Sequence, residues 1–127
     1  MTDADAVLEA NDGFYRAFES LDIVKMAEAW LQAPDVKVVH PGWPLLSGWE
    51  PVMRSWERIF ESASMMSFTI ADAEATVEGD WAWVSCTENL MSVQNGQVSE
   101  GKVQATNIYK RVEGRWLLMH HHGSPVG

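Results

Sequence analysis

The spacing of apolar residues divides the chain into a helical first half and a β second half. Val7, Leu8, Phe14, Phe18 and Leu21 fall near helical spacing and predict an opening helix, with Gly13 as its weak point. Ile23, Met26, Ala27, Trp30 and Leu31 follow i, i+3, i+4, i+7, i+8 and predict a second helix. Asp22 is placed to cap its start and Pro34 to end it. The β-branched run Val36 to His40 reads as a short strand. PGWPLLSG follows as a loop broken by Pro41, Gly42, Pro44 and Gly48. A third helix begins near Ser47, where Ser47 and Glu50 have capping-box spacing and Pro51 suits a first turn. Trp49, Val52, Met53, Trp56, Ile59 and Phe60 give it an apolar stripe.

From there the period falls to two. MSFTIADAEATVEG, DWAWVSCTENLMSV, VSEGKVQATNIYKRV and GRWLLMHHHGS are four strand candidates, joined by turn chemistry at Gly79-Asp80, Asn95-Gly96 and Glu113-Gly114. Tight joints make neighbours antiparallel. Helices first and a curved antiparallel meander after predict an α+β fold in a single domain, residues 1–127.

Alternation then sorts side chains between the two faces of the sheet. Ala82, Val84, Cys86 and Glu88 share one face, and Trp81, Trp83, Ser85 and Thr87 the other. Val103, Ala105, Asn107 and Tyr109 alternate with Gln104, Thr106 and Ile108. On the last strand Trp116, Leu118, His120 and His122 fall on one side, with Leu117, Met119 and His121 opposite. The histidine run is thus in register with an apolar strand and is not an appended tag. One face must cover the helices. The other, carrying Trp81 and Trp83, would be an exposed apolar patch of the kind that marks a protein partner. A homodimer through that face is expected, with His121 on it.

Composition narrows the function. Lys and Arg number 9 against 18 Asp and Glu, a net charge of −9 that repels nucleic-acid backbones. The acidic start MTDADAVLEAND lacks the features of a signal peptide, and no apolar stretch is long enough to span a bilayer, so no membrane partner is expected. A single cysteine, Cys86, excludes an intrachain disulfide and fits a reducing cytoplasm. Seven tryptophans suggest an aromatic pocket, an interface, or both. No phosphate-cradling glycine loop, nucleophile elbow or dinucleotide fingerprint is present, so neither a nucleotide cofactor nor covalent catalysis is expected.

Helix, helix, strand, the stretch HPGWPLLSGWEPVMRSWERIF, and a meander ending in GRWLLMHHHGS together resemble the SnoaL-like branch of the nuclear transport factor 2-like superfamily, over essentially the whole chain. The resemblance implies a conical fold in which a curved antiparallel sheet wraps around three N-terminal helices. It also implies a pocket at the open end and dimers across the sheet. His40-Pro41 is similar to the place where ketosteroid isomerases carry an Asp-Pro general base, which implies a base at His40. Phe14-Tyr15 lies near the position of their oxyanion tyrosine, the register favouring Phe14. Ala82 to Glu88 and Ala105 to His122, with the His120-X-His122-X-Ser124 ending, resemble the association domain of calmodulin-dependent kinase II. The chain departs from that domain's arginines at Glu88 and Asn107.

The candidate chemistry is proton transfer on a small apolar carbonyl or hydroxyl compound, by isomerisation, dehydration or cyclisation without a cofactor. The alternative is a non-enzymatic binding or dimerisation module. His40 stands as base, Glu88 and His122 as acid or orienting groups, and Asn107 as carbonyl donor. Burial would lift Glu88 toward neutrality, while an ion pair or a wet rim position is the plainer reading. Tyr15, Trp30, Trp43, Trp56 and His120 are candidates to line the cavity, although helical aromatics are core by default. His40, His120, His122 and Glu88 include metal-ligand types, but no third ligand is fixed by spacing, and no metal is expected.

Overall fold

The computed structural model describes residues 1–127. Helix α1 (Asp3–Ser20) opens with a capping box: the Asp5 amide donates to Thr2 Oγ1, and the Thr2 amide to the Asp5 carboxylate. Helix α2 (Ile23–Ala29) is capped by Asp22, which accepts from the Val24 amide at 2.9 Å. It stops short of the span expected from its spacing. Trp30 turns to extended backbone and bridges to Leu118, and the Leu31 amide donates to the Leu118 carbonyl.

Strand β1 (Lys37–Val39) is followed by β2 (Leu46–Ser47), then helix α3 (Trp49–Ser62). The expected capping box of α3 does not form. Ser47 is spent pairing with Lys37 in β2, and the cap position falls on Gly48, whose φ of 102° suits glycine and which makes no side-chain cap bond. The four long strands β3 (Ala63–Glu78), β4 (Trp81–Gln94), β5 (Gln97–Val112) and β6 (Arg115–Pro125) form the expected meander. The sheet order is β2-β1-β6-β5-β4-β3. Because β1 runs parallel to β6, the sheet is mixed and not wholly antiparallel. A register shift between Ala71 and Glu74, beside Asp72 at φ 55°, bends the long β3 as bulges do. The open, curved sheet encloses the helices, with α1 against β3, β4 and β6, and α3 against α2, β1 and β3.

The core lies between this concave face and the helices. Trp56 is wholly buried at its centre, ringed by Phe14, Phe18, Trp30 and Phe60 at centroid distances of 4.7–6.4 Å. Truncating a side chain so placed costs about 3–5 kcal/mol. On β4 the expected alternation holds: Ala82, Val84, Cys86 and Glu88 are buried, while Trp81 and Trp83 stay 42% and 41% exposed.

On β6 the alternation breaks. Ile108 pairs with His120 but Tyr109 pairs with Leu118, so Met119 is an extra residue, a β-bulge. Leu118 and Met119 are both buried, and beyond them the faces exchange. His121 points into the core, whereas His120 and His122 lie on the outer face, opposite Lys37 and Val39 of β1. This reverses the assignment from unbroken alternation. No helix is long and apolar enough to cross a membrane.

Candidate functional site

Polar side chains from four elements meet inside the sheet. On α1, Asn11 and Tyr15 stand one helical turn apart on the face that also carries Val7, Phe14 and Phe18, all buried. From the sheet come Glu88 of β4, Asn107 and Tyr109 of β5, and His121 of β6, with Asn107 directly opposite His121 in the ladder. Each of these six side chains is at most 3% exposed.

Their hydrogen bonds form one connected set. Tyr15 donates from its hydroxyl to Glu88 Oε2 at 2.6 Å and accepts from Asn107 Nδ2 at 3.2 Å. Asn107 Nδ2 also donates to Asn11 Oδ1 at 2.9 Å, as does the Tyr109 hydroxyl. Asn107 Oδ1 therefore accepts from His121 Nδ1 at 2.5 Å, which fixes the proton of that imidazole on Nδ1. Its Nε2 lone pair is left facing Glu88 Oε2 at 4.0 Å. That gap is too long for a hydrogen bond and short enough for one ligand oxygen to bridge.

Electrostatics set the protonation states. Burial pushes the Glu88 carboxyl up to about 7, opposed by the Tyr15 hydrogen bond, which favours the ionised form. Burial, with the neighbouring imidazoles, holds His121 well below the usual histidine range, so the pair with Glu88 is not an ion pair at neutral pH. Burial first, and then the Glu88 charge, raise the Tyr15 hydroxyl and keep it a donor. The cluster thus holds one group, Glu88, able to give or take a proton near neutrality.

His40 sits past β1 at the edge of this cluster. A turn with Pro41 and Gly42 at its centre, closed by Trp43 N–H to the His40 carbonyl at 2.8 Å, sets its position. The Ser55 hydroxyl donates to the Val52 carbonyl at 2.6 Å, so His40 Nε2 carries the proton in its 2.9 Å contact with Ser55 Oγ. Burial drops His40 to about 4, which keeps it neutral and makes it a weaker base than its place in the sequence suggested. Its ring lies 4.6 Å from Trp56, 5.0 Å from Trp43 and 6.4 Å from His121.

The expected site residues therefore divide. Tyr15, Glu88 and Asn107 come together in the hydrogen-bonded cluster, with His40 and Trp56 beside it. Trp30 is buried 6.4 Å from Trp56, and the indole N–H groups of both have no partner. Trp43 is half-buried on a surface groove. His120 and His122 do not reach the cluster: they border a shallow depression on the outer face with Thr106 and Ser124, because the bulge at Met119 turned them out. His121, expected on the dimer face, takes the inner place. No three His, Cys, Asp or Glu side chains stand together in a way that could hold a metal ion. Sequence reasoning passed over Asn11 and Ser55, although each is a polar residue within a helix's apolar stripe, a visible irregularity.

Known proteins share this architecture. A proposed dehydratase of the NTF2-like family from Streptomyces avermitilis superposes with a TM-score of 0.93 at 38% identity, covering 98% of this chain and 96% of that one. A protein from Thiobacillus denitrificans, described as resembling the calcium/calmodulin-dependent protein kinase type II association domain, does so at 0.82 and 27%, covering 93% of each. Among curated proteins, the F-box protein SKIP8 of Arabidopsis thaliana is 29% identical over 119 residues, which is 94% of this chain and 49% of that protein. The chain spans half or less of the length of the curated relatives it matches. A SnoaL-like domain model matches residues 7–127, and the chain belongs to that family.

Proposed function

We propose that the chain binds a small apolar compound bearing a carbonyl or hydroxyl group and moves a proton on it, in an isomerisation or dehydration. The observation that carries this reading is Glu88, a buried carboxyl raised to about 7, hydrogen-bonded to Tyr15 and 4.0 Å from a neutral His121. A carboxyl poised at the working pH serves as both acid and base. Tyr15, itself held by Asn107, orients it, and His121 Nε2 accepts from a ligand hydroxyl placed in the gap. The partnerless N–H groups of Trp30 and Trp56 supply donors for a ligand oxygen, since orphaned buried donors are costly in a folded core. His40, bonded to Ser55, stands between the cluster and the surface groove that Trp43 borders. The fold kinship with a proposed dehydratase supports the same reaction class.

A second reading, self-association, draws on a separate observation. Trp81 and Trp83 remain about two-fifths exposed side by side on the outer sheet face, with Lys110 Nζ over the Trp81 ring at 5.2 Å. A second copy covering this face removes that patch from water. The single buried thiol, Cys86, suits a cytoplasmic setting for either reading.

A thermal-shift screen of small carbonyl and hydroxyl compounds tests the first reading. At least one class should raise the melting temperature, and that ligand should exchange a carbon-bound proton for deuterium in heavy water. Glu88→Gln should slow this exchange about 10²–10⁴-fold, the usual contribution of one acid or base. Exchange unaltered by the substitution would exclude Glu88 from the chemistry.

A further inference from the structure

The chain is acidic overall, yet one helix face collects two cations without partners. Arg54 and Arg58 of α3 stand four residues apart and are both exposed. Arg16 pairs with Asp12 and Glu19, and Arg111 with Asp3 and Asp80, while Arg115 stands exposed and alone at the start of β6. Arg54 and Arg58 make no ion pair within 4 Å, although Glu50, Glu57 and Glu61 lie on the same helix at pairing distance in sequence. Like charges one turn apart are mildly destabilising in an isolated helix. Two guanidinium forks held this way offer a bidentate seat for one carboxylate or phosphate.

They border a groove of about 290 Å³, with Trp43 and Leu46 on its other wall and Ser55 at its floor. That is near the small end of ligand pockets, which start at about 300 Å³. Ser55 is buried and continues the path inward through its 2.9 Å contact with His40. Trp43 stands edge-on to the His40 ring at 5.0 Å. From His40 the line runs to His121 and so to Glu88. The groove combines two unpaired arginines with an aromatic wall, and its Ser55 is hydrogen-bonded to His40, whose ring lies 6.4 Å from His121 of the buried cluster.

We propose that the ligand is a small aromatic carboxylate, its acid held between Arg54 and Arg58, its ring against Trp43 and its reacting end directed inward past Ser55 and His40 toward Glu88. This rests on the reading of the Glu88 cluster as a proton-transfer site and adds the substrate class. An arginine pair selects the anion, and the groove's width with Trp43 selects a flat ring over a bare inorganic ion.

Calorimetric titration with phenylacetate, its neutral amide phenylacetamide and inorganic phosphate tests the assignment. Phenylacetate should bind at least about tenfold more tightly than the amide, since hydrogen bonds to a charged group carry that much discrimination. The exposed double variant Arg54→Gln/Arg58→Gln should keep the wild-type circular dichroism and lose the difference. Trp43→Ala should weaken phenylacetate and leave phosphate unchanged. Equal binding of acid and amide, or phosphate binding as tight as phenylacetate, would overturn the proposal. A neutral carbonyl ligand whose binding ignores both arginines would overturn it while leaving the Glu88 reading intact. Phenylacetate held by the arginines, with proton exchange indifferent to Glu88→Gln, would sustain the anion seat and remove the chemistry assigned beneath it.

Discussion

Replacing Glu88 with glutamine should make the protein more stable at alkaline pH and leave it nearly unchanged in acid. The Glu88 carboxyl titrates near 4.5 when unperturbed and near 7 in the fold, chiefly because burial penalises the charge. Between those values the native state holds a proton that the unfolded chain has lost, so stability falls as pH rises through the window. A gap of that size corresponds to about 3 kcal/mol once both limits are passed. The substituted amide cannot ionise, still accepts from the Tyr15 hydroxyl, and escapes this loss. His40 and His121 have lowered values and act in the opposite sense, adding stability as pH climbs toward 6.5. They do so in both proteins and cancel in the difference. Urea denaturation from pH 5 to pH 8.5 measures that difference directly. It should open from near zero to about 3 kcal/mol in favour of the variant, or roughly 10 °C in melting temperature for a domain of this size. Two curves that run parallel across the range would show that Glu88 does not titrate near neutrality, and the proposed chemistry would lose its acid.

The remaining predictions concern the two faces of the sheet. Trp83→Glu, on an exposed position, should leave the circular dichroism spectrum intact and convert a self-associated wild type to monomer by light scattering; a wild type already monomeric at micromolar concentration would refute the interface. His121→Ala should cost about 2–4 kcal/mol in urea denaturation, because it opens a cavity and leaves Asn107 Oδ1 without its donor, whereas the exposed His122→Ala should stay within about 0.5 kcal/mol. The reverse order would place the bulge elsewhere in β6.

The sequence was legible where structure is local. The inward set Ala82, Val84, Cys86 and Glu88 followed from alternation because β4 pairs with β5 without interruption from Trp81 to Gln94. Asp22 was readable as a cap because a cap is a contact two residues long. What failed was non-local. Nothing in Leu118-Met119 announces that both will be buried, since the bulge arises from how β5 and β6 close around the helices, and one extra residue exchanged the places of three histidines. Ser47 reads as a helix cap until Lys37, ten residues earlier, claims it for a strand. The parallel placement of β1 on β6 joins segments some eighty residues apart and leaves no mark in either. Glu88, Asn107 and Tyr15 were each picked out singly, but the hydrogen-bonded set they form needed Asn11 and His121 to close it.

The histidine run has a further implication for how β6 keeps its place. A strand that slid by one residue in either direction would still set an imidazole across from Asn107, because His120 and His122 flank His121. The run cannot distinguish the correct alignment from its two nearest errors. Gly123 can. A Cβ at that position would come within 3.0 Å of Val103 Cγ1 and 3.3 Å of the Pro41 ring, so His122 or Ser124 brought there by a slide would press on β5 and on the turn that carries His40, which would have to give by a few tenths of an ångström. The smallest residue of the strand thus acts as its locating notch, and Gly123→Ala should disturb the ordering of His40 and His121 together, although it touches neither ring.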